Sequence, residues 1–246
     1  MNPPAPESEP VRASIGSAVS VLDLETIIPY IHAMAHPAPA SDAATPERAQ
    51  PRNRGRPREF DIDVALDKAV RIFRERGYHA TSIGDLSGAM ELASGSLYKA
   101  FKDKRSIFLA AYDRYTAMRS EQVQRVLATQ RPARDRLRDL LAFYVESSQG
   151  TEGRRGCLVV GSAVELAAFD PVVAARVGAT LRKNEAMLAE LIRHGHADGS
   201  IAPQVDADAT ARVLLCLTQG LRVVGKTGRS RAELAAAVDV AMKLVA

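Results

Sequence analysis

TSIGDLSGAMELASGSLYKAFKDK, residues 81–104, reads as two short helices joined by a tight turn. Thr81 and Ser82 supply hydroxyls for a helix N-cap, and Asp85 stands three positions after Ser82, the spacing of a reciprocal cap. Ile83, Leu86 and Met90 then share one face. The pattern breaks at Glu91, Leu92 and Ala93; Ser94 is positioned to cap a second helix, and Leu97 and Phe101, four apart, share its buried side. Ser96, Tyr98, Lys99 and Lys102 are left facing outward. Small hydroxyls, one phenol and lysines on one exposed helical side suit a groove lined by base edges and flanked by phosphates. The same residues also fit a plain amphipathic hairpin with a solvated polar face.

Upstream, Leu66, Ala69, Val70 and Phe73 recur at helical spacing and lead to Gly77, a left-handed stop just before Tyr78, so a first helix precedes the hairpin. Downstream, Asp103 caps a longer helix with Ile107, Phe108, Ala111, Tyr112 and Tyr115 on its apolar side. From Pro132 onward helices are predicted over Arg136–Ser147, over Gly156–Phe169, from Asp170–Pro171 towards His194, from Asp206 to Gly225–Gly228, and over Ala232–Val245. No alternating strand pattern persists, and the expected architecture is all-α with about nine helices.

These residues carry a family resemblance. The run ALDKAVRIFRERGYHATSIGDLSGAMELASGSLYKAFKDKRSIFLAAYDRY resembles the N-terminal domain of the TetR family of bacterial repressors: an FxxxGY end to helix one, a TSIxDL helix two, and a GSLYxxFxxK signature for helix three and the start of helix four. The match covers about Phe60 to Tyr115, with a weaker all-helical likeness to the end of the chain. It implies a helix-turn-helix domain and a larger helical domain for ligand binding and dimerisation. Thr81 and Ser82 would then face a DNA phosphate at a helix N-terminus. Gly95, Ser96, Tyr98 and Lys99 would occupy the recognition positions, and Lys104 would hold a phosphate. Gly84 and Gly88 depart from the pattern. Each costs helix two about 1 kcal/mol relative to Ala, and would either loosen it or permit close packing.

The resemblance also implies that the final two long helices pair with their copies in a homodimer, setting two recognition helices roughly 34–36 Å apart for a palindromic operator on double-stranded DNA. Here those helices align Val213, Leu214, Leu217, Leu221 and Val224 with Leu234, Val238, Ala241, Met242 and Val245. Leu214, Leu217, Leu221, Leu234, Val238 and Met242 are the interface candidates, although core packing is the plain reading of the same stripes. An unknown small-molecule effector would bind among residues 136–195, with Cys157 and Glu165 as candidate pocket groups. Beside Arg154, Arg155 and Gly156, Cys157 also invites a thiol-sensor role; the plain alternative is a buried small hydrophobe.

Net charge over the 246 residues is only +4, but residues 52–125 hold 15 basic against ten acidic side chains, so the positive excess peaks at the hairpin. Arg56 and Arg58, in the run RNRGRPR, are candidates for a basic arm entering the minor groove, or for a solvated charged linker. The expected organisation is a disordered extension over 1–51, the arm over 52–58, the helix-turn-helix domain over 59–105, a connecting helix over 106–130 and the effector and dimerisation domain over 131–246. Translation starting at Met34 is a further expectation for the extension. His32 and His36 have helical metal-pair spacing, but no third ligand completes a site, and neither metal nor cofactor is expected. Two cysteines make no disulfide framework, no apolar run reaches the length of a membrane span, and the start lacks a secretory signal, which together point to the cytoplasm. No nucleotide-binding or hydrolase motif is present, and the chain is not expected to be an enzyme. A ligand-responsive repressor is the leading reading; a non-enzymatic helical interaction protein, or an enzyme with an unrecognised site, are the alternatives.

Overall fold

In the computed structural model, which describes residues 61–246, ten α-helices and two short 3-10 turns follow one another, and no strand occurs among the described residues. The expectations for the extension, the arginine arm and His32 and His36 lie outside the described residues. The helices are α1 (Ile62–Arg76), α2 (Ile83–Met90), α3 (Ser94–Ala100), α4 (Lys104–Leu127), α5 (Ala133–Ser147), α6 (Gly150–Arg155), α7 (Leu158–Glu165), α8 (Pro171–Asp198), α9 (Ala207–Val224) and α10 (Arg231–Ala241). No helix among them is long and apolar enough to cross a membrane.

Local chemistry sets most of the boundaries. Ser82 and Asp85 form the reciprocal cap of α2, and Asp103 with Ser106 forms another at α4. Asp170 accepts from the Val172 and Val173 N–H groups ahead of Pro171, and Asp206 does the same at α9. Gly77, with φ at +83°, stops α1 while its N–H donates to the Phe73 carbonyl.

Three expected boundaries shift. The cap position of α3 is Ala93, not Ser94, and no side chain caps this helix. The helix expected over Gly156–Phe169 breaks at its first residues. Gly156 adopts φ +80° between α6 and α7, and a Cβ there would press on the side chain of Lys226. The last helix relaxes into a 3-10 turn over Met242–Val245.

Two apolar cores result. The first joins Ala69 and Phe73 of α1, Leu86 and Met90 of α2, Leu97 of α3 and Ile107, Phe108, Tyr112 and Tyr115 of α4 to Leu158, Val159, Leu166, Val173 and Val177 from α7 and α8. The second gathers Leu137, Leu140 and Leu141 of α5, Leu188 and Ile192 of α8, Leu214 and Leu221 of α9, and Leu234 and Val238 of α10. Helix α4 runs between them, placing Ile107 to Tyr115 in the first and Val123 in the second. The three N-terminal helices therefore share a core with α7 and α8 and do not close on themselves.

Candidate nucleic-acid interface

Helix α3 is held by a single fully buried residue, Leu97, with Phe101 packed partly behind it. Anchoring at that point turns Tyr98, Lys99 and Gly95 to the outside, with Ser96 half-buried beside them. The Tyr98 ring is 55% exposed, and an added Cβ at Gly95 would meet nothing. Lys102 is exposed at the end of the same segment. One short helix therefore shows a phenol, a hydroxyl and an ammonium around a glycine, with a second ammonium just past its end, a set able to meet base edges and phosphates together.

The three residues expected to meet phosphates are instead engaged within the protein. Thr81 is 1% exposed, and its hydroxyl donates to the Gly77 carbonyl at 2.6 Å, so it fastens the turn after α1. The Ser82 N–H and hydroxyl both donate to Asp85 Oδ2, at 2.9 and 2.7 Å. These bonds, with Arg76 adding its charge, hold the Asp85 carboxyl below its ordinary range, so an anion already sits at the start of α2. Lys104 donates to the Tyr78 and Thr81 carbonyls at 3.1 and 3.0 Å, with its ammonium 4.3 Å from the centre of the Tyr78 ring. It braces the turn between α1 and α2, an outcome that the sequence signature alone did not disclose.

Gly84 and Gly88 are not sites of close packing. An added Cβ at Gly88 would meet nothing, and at Gly84 only the Ser82 hydroxyl at 3.6 Å.

The reading unit is tied to the rest of the chain by polar contacts as well as by the first core. Glu165, the candidate pocket group, reaches back to the reader: its carboxylate accepts from the Tyr78 N–H at 2.7 Å and lies against Gly77. Arg105 and Asp170 make a two-point ion pair at 2.6 and 2.9 Å, joining the start of α4 to the start of α8. Those bonds from Arg105 bring the Asp170 carboxyl down to about 2, against the opposing effect of burial. Arg74 of α1 donates to the Gly156 carbonyl at 2.9 Å and pairs with Glu152.

Cys157 lies between α6 and α7, where the Tyr115 hydroxyl donates to its sulfur at 3.5 Å. Burial pushes its thiol up, but the Arg222 charge, the nearby backbone N–H groups and Tyr115 together leave it below the ordinary value. The arginines expected to act on it, Arg154 and Arg155, point elsewhere: Arg154 to Thr151, Arg155 to Glu75 and Glu152. The sequence could not place Arg222 there, because it lies 65 residues beyond Cys157.

The expected dimer residues also turn inward. Leu214, Leu221, Leu234, Val238 and Met242 belong to the second core, and Leu217 packs partly against it. The outward side of α9 instead shows Val213, Cys216, Gly220, Val223 and Val224, while Val240 and Leu244 are exposed at the end of the chain. The strongest leucine stripe serves the protomer's own interior, and a second, weaker apolar stripe is left uncovered.

Two family models match the chain: "Bacterial regulatory proteins, tetR family" over residues 65–111 and "Tetracyclin repressor-like, C-terminal domain" over residues 133–241. The chain is 27% identical over 194 residues to the HTH-type transcriptional repressor ComR of Escherichia coli, covering 78% of this chain and 92% of that protein. It is 32% identical over 183 residues to the transcriptional regulator AcuR of Cereibacter sphaeroides, covering 70% and 81%. Among solved structures, it resembles the TetR family transcriptional regulator CifR complexed with 26-bp double-strand operator DNA, at 33% identity and a TM-score of 0.67, covering 76% of this chain and 98% of that one.

Proposed function

This chain belongs to the TetR family of bacterial regulatory proteins, and from that premise we infer that it is a DNA-binding transcriptional repressor reading a palindromic operator as a homodimer. The observation that carries the reading is the outward face of α3, where the side chains of Ser96, Tyr98 and Lys99 make no hydrogen bond among the described residues and stand with Gly95 around the buried anchor Leu97. Tyr98 and Lys99 are the principal contacts. Lys102 adds charge towards the phosphates, and Arg56 and Arg58 supply a basic arm ahead of α1. Thr81, Ser82 and Lys104 shape the unit that presents α3.

The dimer forms through the outer stripe of α9 and the end of the chain, around Val213, Gly220, Val223 and Val240. Pairing there sets two copies of α3 for two half-sites. An effector acts through the body. Regulation requires a ligand with unequal affinity for two arrangements of the reader, and the bonds from Glu165, Asp170 and Gly156 are the routes by which the body bears on it. Such a protein works where the chromosome lies, in the cytoplasm.

The decisive experiment is binding to the DNA flanking the gene, measured across a series of salt concentrations for wild type, Tyr98→Ala and Lys99→Ala. Selective binding that both substitutions weaken supports the reading, with Lys99→Ala also lowering the salt slope by about one. Equal affinity for random duplex would remove sequence-specific readout from the function.

A further inference from the structure

Among the described residues, Arg222 is the one charged side chain that counts with the buried interior, at 2% exposure. Its Nη2 donates to the Gly156 carbonyl at 3.0 Å, while Nε and Nη1 have no partner. A second guanidinium, that of Arg119 of α4, reaches the same region: it bonds to Ser147, and the adjoining Ser148 lies against Gly225, three residues past Arg222. Burial disfavours the charged form of Arg119, and the Arg222 charge adds to that. Arg119 is met only by neutral oxygens, Gln122 Oε1 at 3.0 Å and Ser147 Oγ at 3.1 and 3.2 Å. Neither cation meets a carboxylate among the described residues. The Phe143 and Tyr144 rings lie 4.4 and 6.0 Å from the Arg119 guanidinium, and Tyr115 donates to the sulfur of Cys157, the residue after Gly156.

Burying an unpaired cation is among the costliest arrangements a fold can hold, and each orphaned buried donor calls for a partner. We propose that Arg222 and Arg119 form a binding site for a small organic carboxylate, enclosed between α4, α5, the start of α7 and α9. This rests on the reading of the body as the part that receives an effector. A carboxylate supplies one negative charge and two acceptor oxygens to the buried, unpartnered Nε and Nη1, and its organic part meets the aromatic side chains. Inorganic phosphate brings the charge without an apolar part. The site also has a direct line to the reader, because the carbonyl oxygen of Gly156 accepts both from Arg222 and from Arg74 of α1. The rival counter-ion inside the chain is the Cys157 thiolate, and a non-ionising replacement separates the two.

Calorimetry on the full chain at constant ionic strength, without DNA, tests this with acetate, butyrate and benzoate, their neutral amides, and inorganic phosphate. The expected result is that at least one carboxylate binds about tenfold or more tightly than its amide and than phosphate, that Arg222→Gln weakens it about tenfold or more, and that Cys157→Ser keeps it. Carboxylates binding no better than their amides in wild type overturn the site without recourse to any variant. Equal carboxylate binding by Arg222→Gln, or its loss in Cys157→Ser, does the same. If carboxylate binding stands while operator binding is missing, the regulatory reading fails and the site does not.

Discussion

Helices α3 and α9 each bury one stripe, yet they show opposite chemistry to the outside. Behind Leu97, α3 presents Tyr98 and Lys99; behind Leu214 and Leu221, α9 presents Val213, Cys216, Gly220 and Val223. On the function proposed above, the first surface is completed by an anionic polymer and the second by another apolar surface. Their inner sides differ too. The core behind α3 holds no buried charge among the described residues, whereas α9 carries Thr218 and the charged Arg222 inward among its leucines. What a helix does in this protein is thus told by its outer face at the reader and by its inner face in the body.

The sharpest way to break that contrast is to place a charge on the outer stripe of α9. Val223→Asp should turn a dimer into a monomer in sedimentation at micromolar concentration, and lower operator affinity by orders of magnitude, because an ion pressed into an apolar interface has no partner. Thermal unfolding of the monomer should remain cooperative. A dimer that persists would place the interface elsewhere.

Leu97→Ala should cost about 2–5 kcal/mol in chemical denaturation, as for other fully buried leucines. Because the first core is continuous with α7 and α8, the loss should appear in one transition. A separate early transition for the reader would show that the two parts unfold independently.

Lys104→Ala tests whether the signature lysine is brace or phosphate contact. As a brace donating to two backbone carbonyls it should lose about 2 kcal/mol of stability. Unchanged stability with a shallower salt dependence of DNA binding would restore the phosphate role.

Asp170→Ala removes both a helix cap and the partner of Arg105, with an expected loss of about 1 kcal/mol from the cap. The folded carboxyl lies at about 2, below the roughly 3.9 of an unfolded Asp. Its stabilisation is therefore present above about pH 4 and fades as the pH falls towards 2. Acid titration of stability should be flatter in that window for the variant than for wild type.

The smallest change expected is a gain. Gly88→Ala should stabilise by up to about 1 kcal/mol, since its added methyl meets nothing and the helix position favours Ala. A loss would mean that α2 needs its glycine for a reason other than space.

The reader was legible in sequence because its two faces differ in polarity: Leu86, Met90 and Leu97 declare the inside, and Tyr98 and Lys99 the outside. Its caps at Ser82, Asp103, Asp170 and Asp206 were legible because a short oxygen-bearing side chain ahead of a helix has few other uses. The internal bonds of Thr81 and Lys104 were not legible, because their partners are backbone carbonyls, which no side-chain pattern announces. The two sides of α9 are both apolar: periodicity read the inner stripe as core, while the resemblance offered those same residues for the interface, and the outer stripe drew no notice. The surroundings of Cys157 depend on Arg222, brought in by the fold from the far end of the body, and sequence spacing carries no trace of that approach.

The shared first core sets a rule for anyone wishing to graft this reader onto another sensor. A fragment ending after α4 would uncover the sides of Phe73, Phe108, Tyr112 and Tyr115 that α7 and α8 cover, and would leave Tyr78 without the carboxylate of Glu165. A transplantable cassette has to run at least from Asp61 through Leu181, with the fusion point beyond it in α8, so that the recognition face travels together with the floor on which it rests.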